Sequence, residues 1–173
     1  GLGGSEMCIR DRKTGVLRSA YMLGNGEEVM LAATDLLAET KVAPELSNEA
    51  HYYRAKAYLD AGKVEGAMDD LKILAKDTRN IYGAEAKYKV AQIYFDAGQT
   101  EQAEKEVLDY IEVSTPHTYW LARSFVLLSD VYMKLGRNLD AKQYLLSLKQ
   151  NYQADDDIAG MIESRLNKLN AEN

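Results

Sequence analysis

Cysteine, proline and long apolar runs are scarce in this sequence, and each shortage excludes a class of protein. The 173 residues include 1 Cys and 2 Pro, so an internal disulfide framework is excluded and proline-rich linkers have no room. No apolar run approaches the roughly 18 residues that a membrane-spanning helix needs. Positive charge is not in excess either, because the formal net charge is −6. We therefore expect no nucleic-acid partner and no direct insertion into a membrane.

The sequence also lacks a recognisable catalytic arrangement. His51 and His117 are its only histidines; each is isolated near a predicted helix start, whereas catalysis needs a base with an oriented partner. The acidic run at 155–157 lacks the alternating ligands and the loop glycine of a calcium site, so helix capping is favoured. Asp69 and Asp70 are adjacent on a predicted helix and therefore point apart. These observations predict a protein that is not an enzyme, with no catalytic residue, metal or cofactor.

The main positive feature of the sequence is an internal repeat with fixed spacing. A small residue, a Tyr, a Gly, an Ala and a large apolar residue recur with gaps of three, four, five and four residues. The three clear copies are Ala55, Tyr58, Gly62, Ala67 and Leu71; then Ala91, Tyr94, Gly98, Ala103 and Val107; then Ser129, Tyr132, Gly136, Ala141 and Leu145. An eroded copy precedes them, with Leu17, Ala20, Gly24, Val29 and Ala33.

The spacing of this repeat predicts pairs of antiparallel helices. The small residue and the Tyr three positions later share one side of a helix, and the Gly ends that helix with a positive φ angle. The Ala then allows close approach by the returning helix, which predicts an all-α fold because a single hairpin cannot bury its own apolar side. The predicted helices span residues 14–23, 27–39, 48–61, 64–77, 84–97, 101–113, 117–135, 138–151 and 157–170. Ser47, Thr100 and Thr115 are the predicted N-caps.

The pattern resembles the tetratricopeptide repeat (TPR), as in Ala55-Lys-Ala-Tyr58-Leu-Asp-Ala-Gly62 followed by Ala67 and Leu71. The resemblance covers residues 13–153 in about four hairpins, the first of them degenerate, and implies a right-handed α-solenoid. Residues 154–173 are predicted to form a capping helix. The period exceeds the usual ~34 residues, and such extended repeats resemble those of bacterial envelope assembly proteins. The resemblance thus implies part of a longer bacterial protein, in a periplasmic or outer-membrane setting, with a cytoplasmic setting as the alternative.

Residues 1–12 are predicted to be disordered and foreign to the repeat array. Their core, Gly-Ser-Glu-Met-Cys-Ile-Arg-Asp, resembles a translated sequencing adapter, and a genuine glycine-rich N-terminus is the alternative. If the stretch is an adapter, the natural chain starts near Lys13, and the only cysteine, Cys8, does not belong to it.

The resemblance also implies a partner-binding surface, because the first helices of TPR hairpins line a concave groove that takes peptides or partner helices. We name its candidate residues the first-helix face. They are Tyr52, Lys56 and Leu59; Tyr88, Gln92 and Phe95; and Arg123, Val126, Asp130 and Met133. Tyr52, Tyr88 and Val126 stand where chaperone-binding members of the family carry basic or amide groups, so chaperone tails are disfavoured as partners.

The expected function is that of a protein-interaction scaffold with a protein or peptide partner. The alternative is the repeat tail of an enzyme or sensor kinase whose catalytic domain lies upstream. Trp120 and Tyr119 are expected to pack against the preceding hairpin rather than to stack on a ligand.

Overall fold

The computed structural model describes residues 2–113 and 115–172, and side chains from residue 8 onward within those ranges. Residues 1, 114 and 173, which belong to the predicted disordered stretch, repeat array and capping helix, lie outside the described part. The described residues form nine α-helices, which confirms the all-α fold class. They are α1 Leu2–Met22, α2 Gly26–Leu37, α3 Pro44–Asp60, α4 Val64–Leu74, α5 Ile81–Asp96, α6 Thr100–Glu112, α7 Thr118–Lys134, α8 Asn138–Asn151 and α9 Ile158–Ala171.

The glycines of the repeat end the first helix of each hairpin, as predicted. In the α3–α4 turn, the Gly62 N–H donates to the Leu59 carbonyl at 3.1 Å and the Lys63 N–H to the Tyr58 carbonyl at 2.8 Å. This pair of bonds satisfies the last carbonyls of α3 and requires a left-handed residue between them. The same two bonds recur in the other three hairpin turns. The φ angles are +71° at Gly24, +74° at Gly62, +80° at Gly98 and +76° at Gly136.

The remaining repeat positions lie in the core. The alanines near the start of the second helices, Ala67, Ala103 and Ala141, are fully buried, and Val29 at the same position of the eroded copy is 2% exposed. The large apolar residues four positions later, Leu71, Val107 and Leu145, are at most 2% exposed. Because positions i and i+4 lie on the same side of a helix, each pair faces its own hairpin partner. The spacing pattern therefore predicted the hairpin register correctly.

The chain divides into two compact units. The N-terminal unit, Gly1–Lys76, contains α1 to α4: α2 packs against α1 and α3, and α3 packs against α4. The C-terminal unit, Asp77–Asn173, contains α5 to α9, and within it α7 packs against α5, α6, α8 and α9. The last helix buries four apolar side chains, which are Ile158, Ile162, Leu166 and Leu169.

Disorder was predicted for residues 1–12, and the structure places residues 2–12 in the first half of α1. A helix that is already nucleated extends at a much lower free-energy cost than a new one forms, so the stretch can continue α1 toward its N-terminus. The Arg10 guanidinium also donates to the Lys41 carbonyl oxygen at 2.9 Å, and the Thr14 hydroxyl donates to the Arg10 carbonyl at 2.7 Å. The first bond joins the stretch to the segment between α2 and α3, and the second lies within α1.

The predicted N-caps are also wrong. Helix α3 begins at Pro44, before Ser47, because the fixed φ angle of proline suits the first helical position. Gln99 caps α6 because the preceding turn already fixes its backbone, so Thr100 is the first helical residue. The Thr115 hydroxyl accepts from the His117 N–H at 3.1 Å, and α7 starts only at Thr118. Side-chain caps occur on two other helices, where Asn25 caps α2 and Asn80 caps α5.

Candidate functional site

In the N-terminal unit, the first-helix face is carried by α3. Tyr52, Lys56 and Leu59 are all half-buried there. The Lys56 ammonium lies 5.3 Å from the centroid of the Tyr52 ring, within the range of a cation–π contact. This part of the face is a mixed aromatic, aliphatic and cationic surface.

In the C-terminal unit, α5 contributes Tyr88, Gln92 and Phe95. Gln92 and Phe95 are half-buried, but Tyr88 is only 6% exposed, so its placement on an open face is wrong. The Tyr88 ring belongs to the core, with its centroid 5.6 Å from that of Trp120. Its hydroxyl donates to the Gln92 side-chain oxygen at 2.9 Å, and the Gln92 amide donates to Asp96 at 2.8 Å. Tyr88 therefore lies beneath the first-helix face, and its hydroxyl fixes the position of the Gln92 side chain.

Helix α7 places its four predicted residues in two environments. Val126 is 3% exposed and lies in the core, so its assignment to the face is also wrong. Arg123, Asp130 and Met133 are half-buried. Helix α7 contacts four other helices, so core residues occur on most of its circumference, and spacing alone could not separate Val126 from its neighbours.

Arg123 is the best-ordered cation of this face. Its guanidinium donates to the Tyr88 hydroxyl and the Tyr119 hydroxyl, each at 3.0 Å, and lies 4.9 Å from the centroid of the Tyr88 ring. The Tyr119 hydroxyl donates to the Asp157 carboxylate at 2.9 Å. Burial lowers the pKa of Arg123, but the hydrogen bonds to Tyr119 and Tyr88 outweigh this effect and raise it. The guanidinium is thus charged and held in one position by three helices or their caps.

The order and pairing of the helices are similar to those of two solved structures. Two crystal structures of a Podosopora anserina protein described as a putative kinesin light chain with nearly identical TPR-like repeats match the chain, and one of them is of a substituted variant. The variant has 14% identity and a TM-score of 0.57, with 93% of this chain and 92% of that chain covered. The other has 15% identity and a TM-score of 0.55, with 93% of each chain covered. The chain has a TPR-like repeat fold. At this identity the likeness concerns the fold alone.

No protein-family profile matches the sequence, and no curated protein matches it. The likeness to the solved structures therefore concerns the order and pairing of the helices, and the side-chain geometry above describes this chain alone.

Helix α9 engages one of the predicted binding residues, Asp130, in an ion pair. The Arg165 guanidinium on α9 donates to both Asp130 carboxylate oxygens, at 2.7 and 2.9 Å. Such a two-point contact fixes both side chains. The sequence could not reveal it because the two residues are 35 positions apart and the contact depends on how α9 packs against α7.

A buried charged cluster in the N-terminal unit was also missed. Asp70, 1% exposed, accepts from the Arg54 guanidinium at 2.7 and 2.8 Å and contacts His51 Nδ1 at 2.7 Å. Burial raises the pKa of Asp70, yet its hydrogen bonds to Arg54 and His51 outweigh burial and lower it. His51 is therefore not isolated. Asp70 lies on the buried stripe of α4, between Ala67 and Leu74, and an acidic residue on such a stripe signals a cationic partner.

The second histidine is also engaged, because His117 Nε2 lies 2.8 Å from the Arg79 carbonyl oxygen within the C-terminal unit. Among the described residues, no group of three or more His, Cys, Asp or Glu side chains could hold a metal ion. No described helix is both long enough and apolar enough to cross a membrane.

Proposed function

We propose that this TPR-like protein is a non-catalytic interaction scaffold whose partner binds the first-helix face. The observation that carries the proposal is the fixed arrangement around Arg123. There, Tyr88 and Tyr119 hold a charged guanidinium, and the same two helices, α5 and α7, also carry the half-buried Phe95 and Met133. Arg, aromatic and Met side chains are the types enriched at protein interfaces.

The fixed position of these side chains favours binding. Each flexible side chain that becomes ordered on association costs about 0.5–1.5 kcal/mol. Arg123 and Gln92 are already ordered by hydrogen bonds to Tyr88, so much of this cost is met on folding. In the N-terminal unit, the cation–π contact between Lys56 and Tyr52 likewise orders the Lys56 side chain before a partner binds.

The proposal also includes the location of the protein in the cell and its place in a longer chain. The extended repeat resembles those of bacterial envelope assembly proteins, which supports a role in a longer bacterial protein with a periplasmic or outer-membrane location. Fractionation of cells that express the complete gene with a tag checks this setting. Recovery of the tagged protein in the cytosol alone would contradict it.

The binding face is tested by affinity capture with matched variants. Wild type, Phe95→Ala/Met133→Ala and the control Lys105→Ala/Glu112→Ala, which changes exposed residues of α6, are immobilised after circular dichroism confirms folding. Captured proteins from a lysate of the source organism are quantified by mass spectrometry. We expect a partner that the first double variant loses and the control retains. Equal recovery on all three proteins would contradict the proposed face.

A further inference from the structure

A second surface, separate from the first-helix face, lies between α7 and α8. It is a groove of about 460 Å³ whose floor contains the rings of Phe125, Tyr132 and Tyr144. Asp140 and Arg137 lie at one end, and the polar side chain of Ser147 lies along the α8 wall. We call it the α7/α8 groove.

This groove opens on the side of α7 opposite the first-helix face. Phe125 and Tyr132 each follow a first-helix-face residue, Arg123 and Asp130, by two positions. At 3.6 residues per turn, two positions correspond to about 200° around the helix axis. A partner in the groove therefore leaves the Arg123 arrangement free, and the inference does not depend on the function proposed above.

The aromatic floor is continuous. The centroids of the Tyr132 and Tyr144 rings are 5.5 Å apart, and those of Phe125 and Tyr144 are 6.2 Å apart with their planes inclined by 29°. Ring faces carry partial negative charge and attract cations. The groove thus offers the half-buried rings of Tyr144 and Phe125 next to the buried ring of Tyr132, bordered by hydroxyl and amide groups.

The protein already places one guanidinium beside these rings. The centre of the Arg137 guanidinium lies 4.4 Å from the centroid of the Tyr132 ring. Arg137 also donates to Asp140 at 2.8 Å and lies 3.6 Å from Glu104 of α6. Burial, together with the hydrogen bond to Glu104, raises the pKa of Tyr132 to about 12, so its hydroxyl stays neutral. Rings flanked by carboxylates therefore form a local environment that suits a guanidinium.

The balance of charge favours a second cation. Two carboxylates, Asp140 and Glu104, surround the single cation Arg137. The lysines of α8 do not restore neutrality, since Lys142 and Lys149 fall about 140–200° around the helix from Tyr144. Lys149 is instead paired with Glu163 of α9 at 2.7 Å. The side chains of Arg137 and Asp140 are about half open to solvent, so Asp140 can accept a partner's cation while Arg137 keeps Glu104.

We propose that the α7/α8 groove binds an extended, arginine-containing peptide segment, with an arginine guanidinium stacked on Tyr144 beside Asp140. Tyr144 and Asp140 are four residues apart on α8 and so lie on the same side of the helix. Aliphatic side chains of the segment contact Phe125, and its backbone meets the polar groups of the α8 wall.

The test is a titration of the isotope-labelled full chain, followed by amide chemical shifts, with the amidated peptide Arg-Leu-Arg-Leu-Arg. A second peptide carries neutral citrulline in place of arginine. The variants are Asp140→Asn and Tyr144→Leu, and the control is Asp155→Asn, which removes the same charge from an exposed site elsewhere in the C-terminal unit. Tyr144→Leu keeps an apolar side chain, so the fold is retained while the π face is lost.

We expect the shifts to cluster on α7 and α8 around Tyr144. Affinity should fall by about fivefold in Asp140→Asn, as for a solvent-accessible ion pair of about 1 kcal/mol. It should fall in Tyr144→Leu and with the citrulline peptide, and stay unchanged in Asp155→Asn. Equal weakening by both Asn variants would show attraction to the net negative charge alone and overturn the proposed site. Shifts centred on Arg123, equal binding of the citrulline peptide, or no shifts at millimolar peptide would each overturn it as well.

Discussion

The two units carry the same repeat but are stabilised by different interactions. The core cluster of the N-terminal unit is built from small side chains, with Ala20, Ala33, Ala50 and Ala57 beside Leu17, Val29 and Leu36. That of the C-terminal unit contains Tyr88, Tyr110, Tyr132 and many Leu and Ile side chains. The repeat pattern thus fixes where helices approach, while the residues between its positions decide how much apolar surface each unit buries.

The polar groups differ in the same way. The N-terminal unit buries a carboxylate, Asp70, with Arg54 and His51 as partners. The most deeply buried polar side chains described in the C-terminal unit are neutral: the hydroxyls of Ser124 and Ser129 donate to the carbonyls of Trp120 and Val126. Its buried carboxylate, Glu85, is 8% exposed and is paired with Lys89 one helical turn later. A buried ion cluster is specific in its geometry but sensitive to the loss of one member. The two units should therefore respond to different perturbations.

The largest expected effect is on the N-terminal unit. Asp70→Ala should destabilise it by about 3–5 kcal/mol, because it leaves the Arg54 guanidinium without its carboxylate in a largely buried site. Hydrogen exchange followed by mass spectrometry, read separately for α3–α4 and α7–α8, measures the loss in each unit. The control Asp69→Ala removes a carboxylate at the adjacent, more open position and should change exchange little. Equal protection in both variants would show that the cluster contributes nothing to stability.

Acidic pH should lower the stability of the N-terminal unit through the same residue, Asp70. Because folding lowers the pKa of Asp70, its contribution is complete above the unfolded value of about 4 and is lost as the pH falls through the folded value. The free energy of unfolding of the N-terminal unit should therefore fall in this acidic range. In Asp70→Ala the same curve should be flatter, as urea titrations across the range would show. An identical acid dependence in wild type and variant would assign the effect to other carboxylates.

The C-terminal unit should respond most to the loss of a large apolar side chain. Leu145 is fully buried in its core cluster, so Leu145→Ala should cost about 2–5 kcal/mol by removing contacts and leaving a cavity. Leu146→Ala, at the exposed neighbouring position, is the control and should cost far less. The loss should appear as faster hydrogen exchange in α7 and α8. Faster exchange confined to α3 and α4 would contradict the assignment of Leu145 to the core of the C-terminal unit.

A smaller effect tests the hairpin turns. Gly98→Ala should destabilise by about 1–2 kcal/mol, because φ is +80° there and an L side chain is strained in that region. A Cβ at Gly98 would meet no atom within 4 Å, so the cost comes from the backbone alone. Gly160→Ala, within α9 and equally open, should stabilise by about 0.5–1 kcal/mol. Thermal unfolding of both variants gives the comparison, and equal shifts would contradict the role of the turn.

Much of the fold was predictable because it depends on local spacing. Glycines at a fixed distance from a small residue and a Tyr predicted the left-handed turns, and the alanines that follow predicted the closest helix contacts. Helix ends were less predictable. Asn25 and Asn80 cap α2 and α5, whereas none of the three predicted caps occupies the N-cap position of its helix, because the geometry of the preceding turn, and not residue type alone, decides which residue lies there.

The first-helix face was only partly predictable. Spacing placed Phe95 and Met133 on the correct helices, but it could not show that Tyr88 and Val126 are covered. Their burial depends on Trp120 and on helices that arrive later in the chain. The α7/α8 groove was not predicted at all, since its rings and carboxylates come from three helices.

The sequence by itself determined the all-helical class, the hairpin register and the positions of the glycines that end the first helices, because each depends on residues within one helical turn or one hairpin. Tertiary structure alone decided which distant polar and charged side chains pair. Asp70 with Arg54, Asp130 with Arg165 and Tyr119 with Asp157 join residues 16, 35 and 38 positions apart. Such pairs form only when packing brings distant helices together, and at the buried Asp70 an unpaired carboxylate would be strongly unfavourable.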